Sequence, residues 1–203
     1  MKIEYKDIVL RGMEIEDIDK HIEFIQSNNL YLDWYRPWEK KDFLEEFDAD
    51  IYRIQMKKKI DNKDQNTSES FIITKDDGTL LGLVDSYYID YEYKPIKRKE
   101  ESTDNKCISI NIFDKDNWEK GYGSKTLIAF IDYLFEEKEY KILYAQTWSG
   151  NKRAERVLKN LGFRVVSRLK DEVEFDGKAY DYISLKLMPH NFKIAKKTIE
   201  ELD

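Results

Sequence analysis

The stretch WEKGYGSKTL, residues 118–127, sets two of the chain's eight glycines around a single tyrosine. Leu127, Ile128, Ile131, Leu134 and Phe135 follow at helical spacing, and the alternating run CISINIF, residues 107–113, precedes them. A strand, a short loop and a helix opened by glycines form a potential anion site. The first helical N–H groups have no intrahelical acceptor and lie at the positive end of the helix. Gly121 and Gly123 let a bulky anion approach the main chain, Lys120 adds charge and Ser124 adds a hydroxyl donor. The spacing is not that of a nucleoside-triphosphate loop, whose lysine follows its glycines. Nor is it the dinucleotide fingerprint, since Thr126 stands where a third glycine belongs.

Working outward, Ile108, Ile110 and Ile112 share one face of the CISINIF strand, while Ser109, Asn111 and Phe113 share the other. Upstream, residues 70–91 read as a hairpin across Asp76, Asp77 and Gly78. Downstream come a strand (KILYAQTW, 141–148), a helix (NKRAERVLKNLGF, 151–163) stopped at Gly162, and a hairpin of strands near 164–175 and 179–187 turning at Asp176-Gly177. At the N-terminus, IEYKDIVLRG reads as one strand. Ile15, Ile18, Ile22 and Ile25 trace a helix, and Phe43, Phe47, Ile51 and Ile54 predict a second over about 39–59. An aromatic link containing Trp34, Tyr35 and Trp38 joins the two, broken by Pro37. KIDNKDQNTSE (59–69) and EYKPIKRKEESTDNK (92–106) read as loops, and a polar helix over about 191–202 follows Pro189. This order predicts an α/β (α+β) fold: one domain over 1–188 built on a central mixed sheet with helices on both faces, then a C-terminal helical extension over 189–203.

Charged residues make up 37% of the chain but are mixed in sign, and the net charge is −6, so nucleic acid is not an expected partner. The acidic bias suits an amine-bearing partner and also a plain solubility surface. Cys107 is the sole cysteine and lies in an apolar run. It reads as a buried, inert thiol, and a disulfide framework or thiolate metal site is excluded. His21 and His190 fall in segments that read as peripheral, with no HExxH pairing, so neither a metal site nor a Ser-His-Asp triad is expected. With no signal-peptide pattern and no apolar run of 18 residues, a cytoplasmic protein without membrane association is expected.

Trp118 through Gly123, then Asn151, Arg153 and Ala154 about thirty residues later, and Gly162-Phe163 at the close, resemble the GNAT superfamily of acyl-CoA-dependent N-acetyltransferases. The resemblance covers roughly residues 70–188 and is nearest to the ribosomal-protein-alanine acetyltransferase branch, which has small-molecule relatives. It implies a mostly antiparallel sheet with splayed central strands. It also implies acetyl-CoA as co-substrate without a metal, and direct transfer of the acetyl group to a primary amine in a ternary complex. The acceptor is a small-molecule amine or a protein N-terminal amine, and the protein a monomer or homodimer. The alternatives are a CoA-binding sensor with weak or no turnover, or a nucleotide-binding domain unrelated to CoA.

Carried over by position, Ile112 and Phe113 supply main-chain groups to pantetheine, and an N–H near Phe113 polarises the thioester. Glu119, Lys120, Gly121, Tyr122, Gly123 and Ser124 hold the pyrophosphate. Asn151 binds near the pantetheine arm and also suits a helix cap. Trp34, Tyr35 and Trp38 wall the acceptor pocket or belong to the core, and Trp148 lines the same cavity. Two departures stand out: Leu158 occupies the place of the family's common acidic tyrosine, and the strand before the loop carries no carboxylate. The expected base is therefore Asp85, with Asp90 and Asp114 as alternatives, acting through water held by Ser109 or Asn111.

Overall fold

The alternating and helical patterns resolve into nine strands and seven α-helices among the described residues. These are residues 1–61, 69–96 and 105–201 of a computed structural model. The chain divides into two units, residues 1–85 with 110–129 and residues 86–109 with 130–203. Parts of the two predicted loops and the last two residues lie outside the described residues.

In the first unit, β1 (Lys2–Tyr5), β2 (Ile8–Arg11), β3 (Ser70–Lys75) and the start of β4 (Leu80–Ile89) pair antiparallel in that order. β5 (Pro95–Ile96) is a short strand paired to the far end of β4, and the last residues of β6 (Lys106–Ile112) lie beside β4. The predicted first strand is thus a hairpin. Lys6 takes the left-handed conformation at φ 51°, so Tyr5 and Ile8 pair across a two-residue turn with no glycine to announce it. The next residue, Asp7, binds Lys125 Nζ at 2.6 and 2.9 Å, and this bond holds its carboxyl below the usual range. Gly82 is required by proximity: a Cβ there would lie 1.9 Å from the Asn111 carbonyl oxygen.

Helix α1 (Ile15–Ser27) buries Ile18, Ile22 and Ile25. Arg11 grips Asp17 in its first turn at 2.5 and 2.9 Å; burial pushes that carboxyl up, but the guanidinium and main-chain donors hold it low. Helix α2 (Leu32–Tyr35) is one turn long. The predicted helix over 39–59 is two helices, α3 (Lys40–Glu46) and α4 (Ala49–Asp61). Phe47 is extended, and Asp48 Oδ1 accepts from the N–H groups of Asp50 and Ile51 at 2.9 Å each, so a side-chain cap starts a new helix. Phe43, Ile51 and Ile54 of the predicted stripe are exposed.

Helix α5 (Tyr122–Glu136) begins in the first unit and ends in the second, and its predicted stripe is buried throughout. The second unit adds β7 (Leu143–Trp148), α6 (Lys152–Asn160), β8 (Arg164–Phe175), β9 (Lys178–Leu187) and α7 (Pro189–Glu200). Its strands run in the order β4-β6-β7-β9-β8, and the β6–β7 pair is parallel. That ladder runs from Lys106↔Leu143 to Ile108↔Ala145, although β6 continues to Ile112 and β7 to Trp148. Helix α7 starts on Pro189 itself, since proline's missing N–H costs nothing at a first helical position. Its Phe192 is buried against Phe135, with ring centroids 6.0 Å apart, so the C-terminal helix packs into the second unit.

Candidate active site

The loop between β6 and α5 is built around two residues with positive φ, Glu119 at 61° and Gly121 at 81°. Gly121 O accepts from Lys125 N at 3.0 Å and closes the first turn of α5. The N–H groups of Tyr122, Gly123 and Ser124, the first three residues of α5, have no acceptor within the helix. A Cβ added at Gly123 would meet nothing within 4 Å, so neither crowding nor an unusual φ explains this glycine. Positive charge surrounds Tyr122: Lys75 Nζ lies 5.6 Å and Lys125 Nζ 5.3 Å from its ring centroid. Upstream, Trp118 Nε1 donates to the Ile112 carbonyl at 2.9 Å and braces the loop against the strand that feeds it.

The end of β6 corrects one expectation directly. Phe113 N–H donates to Leu81 O at 2.9 Å, so it is not available to polarise a thioester. By strand alternation the polar groups of Ile112 point away from β4; its carbonyl is held by Trp118, and its N–H faces the edge beyond the β6–β7 ladder. The buried Phe113 ring packs on Phe24 (5.2 Å) and Tyr31 (5.0 Å) and lies flat against His21 at 4.6 Å and 15°. His21 is therefore not peripheral. Its Nδ1 is 2.7 Å from Tyr52 Oη, 31 residues along the chain. Burial lowers the imidazole to about 4 and raises the Tyr52 phenol to about 12, and burial followed by the nearby Tyr52 raises Tyr31.

Two of the three carboxylates considered as bases have local structural duties. Asp90 Oδ1 accepts from the N–H groups of Glu92 and Lys94 at 2.8 Å each. Asp114 Oδ1 accepts from Asp116 N at 2.9 Å and starts the single 3-10 turn before the loop. Asp85 sits on β4 with Oδ1 sealed from solvent. Asn111, half-buried, lies with Asp85 in the first unit, and Ser109, also half-buried, in the second. Trp34 and Tyr35 are exposed at 38% and 43%, which removes the core reading for both. Trp148 is buried against Tyr180 (4.9 Å) and Phe175 (6.1 Å), a packing role in the second unit. Asn151 caps α6, its Oδ1 accepting from Ala154 N at 3.0 Å.

The acetyltransferase (GNAT) domain family matches residues 7–164. The chain belongs to the GNAT acetyltransferases. Similar solved structures share the fold. The ribosomal-protein-S5-alanine acetyltransferase of Vibrio fischeri is 16% identical, with 93% of this chain and 96% of that one covered and a TM-score of 0.70. A ribosomal L7/L12 α-N-protein acetyltransferase in complex with coenzyme A is 11% identical, with 93% and 98% covered and a TM-score of 0.69. A spermidine N-acetyltransferase chimera from Vibrio cholerae and hSSAT is 19% identical, with 93% and 99% covered and a TM-score of 0.66. No curated protein matches the chain by sequence.

This GNAT chain is an N-acetyltransferase, and acetyl-CoA is the acyl donor of its family. Among the described residues no helix is long and apolar enough to cross a membrane, and no group of three or more His, Cys, Asp or Glu could hold a metal. Four residues escaped the sequence reading. Lys125 was legible from its place in the first turn of α5, whereas Lys75 reaches Tyr122 only through the β3–β4 hairpin. His21 and Tyr52 meet through the packing of two helices, which no local pattern announces.

Proposed function

We propose that the chain transfers an acetyl group from acetyl-CoA to a primary amine by direct attack in a ternary complex. The observation that carries this reading is the start of α5, where the N–H groups of Tyr122 to Ser124 have no partner within the helix and Gly123 faces open space. That arrangement fits a diphosphate: each charge-assisted hydrogen bond contributes on the order of 1.5–3 kcal/mol, and Lys75, Lys120 and Lys125 add positive charge beside the donors. Tyr122 shapes the loop, the Ile112 N–H pairs with the pantetheine arm, and Asn151 contributes its side-chain amide. Acetyl-CoA supplies the activated acyl carbonyl.

On the acceptor side, Trp34 and Tyr35 form the wall, and Asp85 takes up the proton of the amine through water held by Ser109 or Asn111. An alkylammonium with a pKa near 10 has to lose a proton before attack, so this relay is a rate-determining asset at neutral pH. Residues 14–53, which include that wall, carry twelve acidic against five basic side chains, a net −7 where the whole chain carries −6. A field of that sign draws cationic acceptors toward the aromatic wall. The acceptor is either a small amine or a protein N-terminus, and the protein acts in the cytoplasm as a monomer or homodimer.

The test is release of free thiol from acetyl-CoA with a panel of amines that includes spermidine and N-terminal alanine and serine peptides. Turnover with at least one amine is expected, and Asp85→Asn should lower kcat about 10–100-fold, most strongly near neutral pH. Tight CoA binding without thiol release on any amine contradicts the catalytic reading. A wild-type pH–rate profile in Asp85→Asn removes Asp85 from it.

A further inference from the structure

We propose that His21 recognises the acceptor: its Nε2–H donates a hydrogen bond to an oxygen atom beside the reacting amine, and Tyr52 holds the imidazole in the tautomer that makes this possible. The inference rests on the acetyl-transfer reading above and adds to it a class of acceptor and the residue that selects it.

The imidazole is fixed on three sides. It projects from α1, beside the buried Ile18, Ile22 and Ile25, so a polar ring here is costly unless partnered. One face lies on Phe113 at 4.6 Å, the residue that ends β6, and the Tyr52 ring meets it edge-on at 5.5 Å and 81°. Tyr31, from the segment leading into the Trp34-Tyr35 wall, packs on the same Phe113 ring. His21 is thus one aromatic ring from Tyr31, three residues before Trp34 in the chain, all within one unit.

Its two nitrogens are not equivalent. Nδ1 sits 2.7 Å from Tyr52 Oη. A phenol is the better acid and an imidazole nitrogen the better base, so Tyr52 donates and Nδ1 accepts. The neutral ring then carries its proton on Nε2. Among the described residues that atom has no hydrogen-bond partner, and the ring is half-buried rather than sealed, which leaves the donor for a ligand. Burial keeps the ring uncharged at neutral pH, so it does not repel a cationic acceptor.

An N–H donor needs an oxygen. A peptide N-terminus offers one in the carbonyl of its first residue, two bonds from the α-amine. A protonated polyamine carries only donors and gains nothing from Nε2–H. The device therefore favours α-amino acyl acceptors.

The experiment measures kcat/KM with a short alanine-led peptide and with spermidine, alongside Kd for acetyl-CoA, in wild type, His21→Phe, His21→Gln and Tyr52→Phe. His21→Phe keeps the stack on Phe113 and should lose about tenfold on the peptide while changing spermidine by about twofold or less. His21→Gln, which retains a donor, should restore most of the peptide activity. Tyr52→Phe should fall between, and acetyl-CoA affinity should be unchanged in all three. Equal losses on both acceptors, or full peptide activity in His21→Phe, overturn the proposal. Wild-type turnover of spermidine alone overturns it and leaves acetyl transfer standing, whereas no thiol release by CoA-bound enzyme with any amine of the panel overturns both.

Discussion

Two helices in this chain begin beside residues assigned to the coenzyme, and they begin differently. Helix α6 is closed by its own sequence: Asn151 bonds back to Ala154 N at 3.0 Å, and the residue is buried. Helix α5 starts at Tyr122, just after Gly121, which has no side chain to bond back, and the N–H groups of Tyr122 to Ser124 have no partner within the helix. A cap of the α6 kind stabilises a helix by about 1 kcal/mol, and α5 forgoes it. The difference separates a helix start that its own sequence closes from one that Gly121 leaves open beside Lys75 and Lys120, and only the second fits the proposed coenzyme loop.

The sharpest way to break this contrast is to fill the open end. Gly123→Trp should weaken CoA binding by at least about 100-fold in calorimetric titration. Because a Cβ there meets no neighbour, the melting temperature should stay near wild type. Unchanged affinity would return the loop to a purely structural status. At the closed end, Asn151→Ala should cost about 1 kcal/mol of unfolding free energy, seen in denaturant titration. Any accompanying loss of CoA affinity measures how far this cap also serves as a ligand.

The sequence already pointed to the open end and was silent about much of what surrounds it. Gly121, Gly123 and the stripe from Leu127 to Phe135 are local signals, and they mark the start and the buried face of α5. The cap at Asn151 was equally readable, because capping acts within one turn. The hairpin at Lys6 was missed because its left-handed residue is a lysine, and the break before Asp48 because a short capping bond outweighed an apolar stripe. His21 was misjudged for a different reason. Its burial depends on Phe113 and Tyr52, both distant in sequence, and on an isoleucine-lined helix face that looked complete without it.

That misjudged histidine supplies a smaller, pH-dependent test. Its pKa in the fold is about 4, against 6.5 for an unperturbed histidine, so the unfolded chain takes up the proton first as pH falls. Its contribution to stability is fully present above pH 6.5 and is lost as pH falls toward 4. Thermal melts from pH 7 to 4 should decline less steeply in His21→Phe than in wild type; parallel curves would show that His21 titrates normally in the fold. Smallest of all is the strain at the open helix start. Glu119 holds a left-handed conformation that costs a side chain on the order of 1 kcal/mol, and its carboxylate sits among the proposed phosphate donors. Glu119→Gly should raise the melting temperature by about 1–2 °C and tighten CoA binding about two- to threefold. A lower melting temperature with weaker binding would give that carboxylate a positive role.

The most direct measurement is an amide-resolved titration of the isotopically labelled protein with CoA. If the start of α5 holds the diphosphate, the largest chemical-shift changes will fall on the amides of Glu119 through Ser124, while the Ala154 amide, already bonded to Asn151, will barely move. Shifts concentrated on α6, or a loop that stays unperturbed at saturating CoA, would contradict the account.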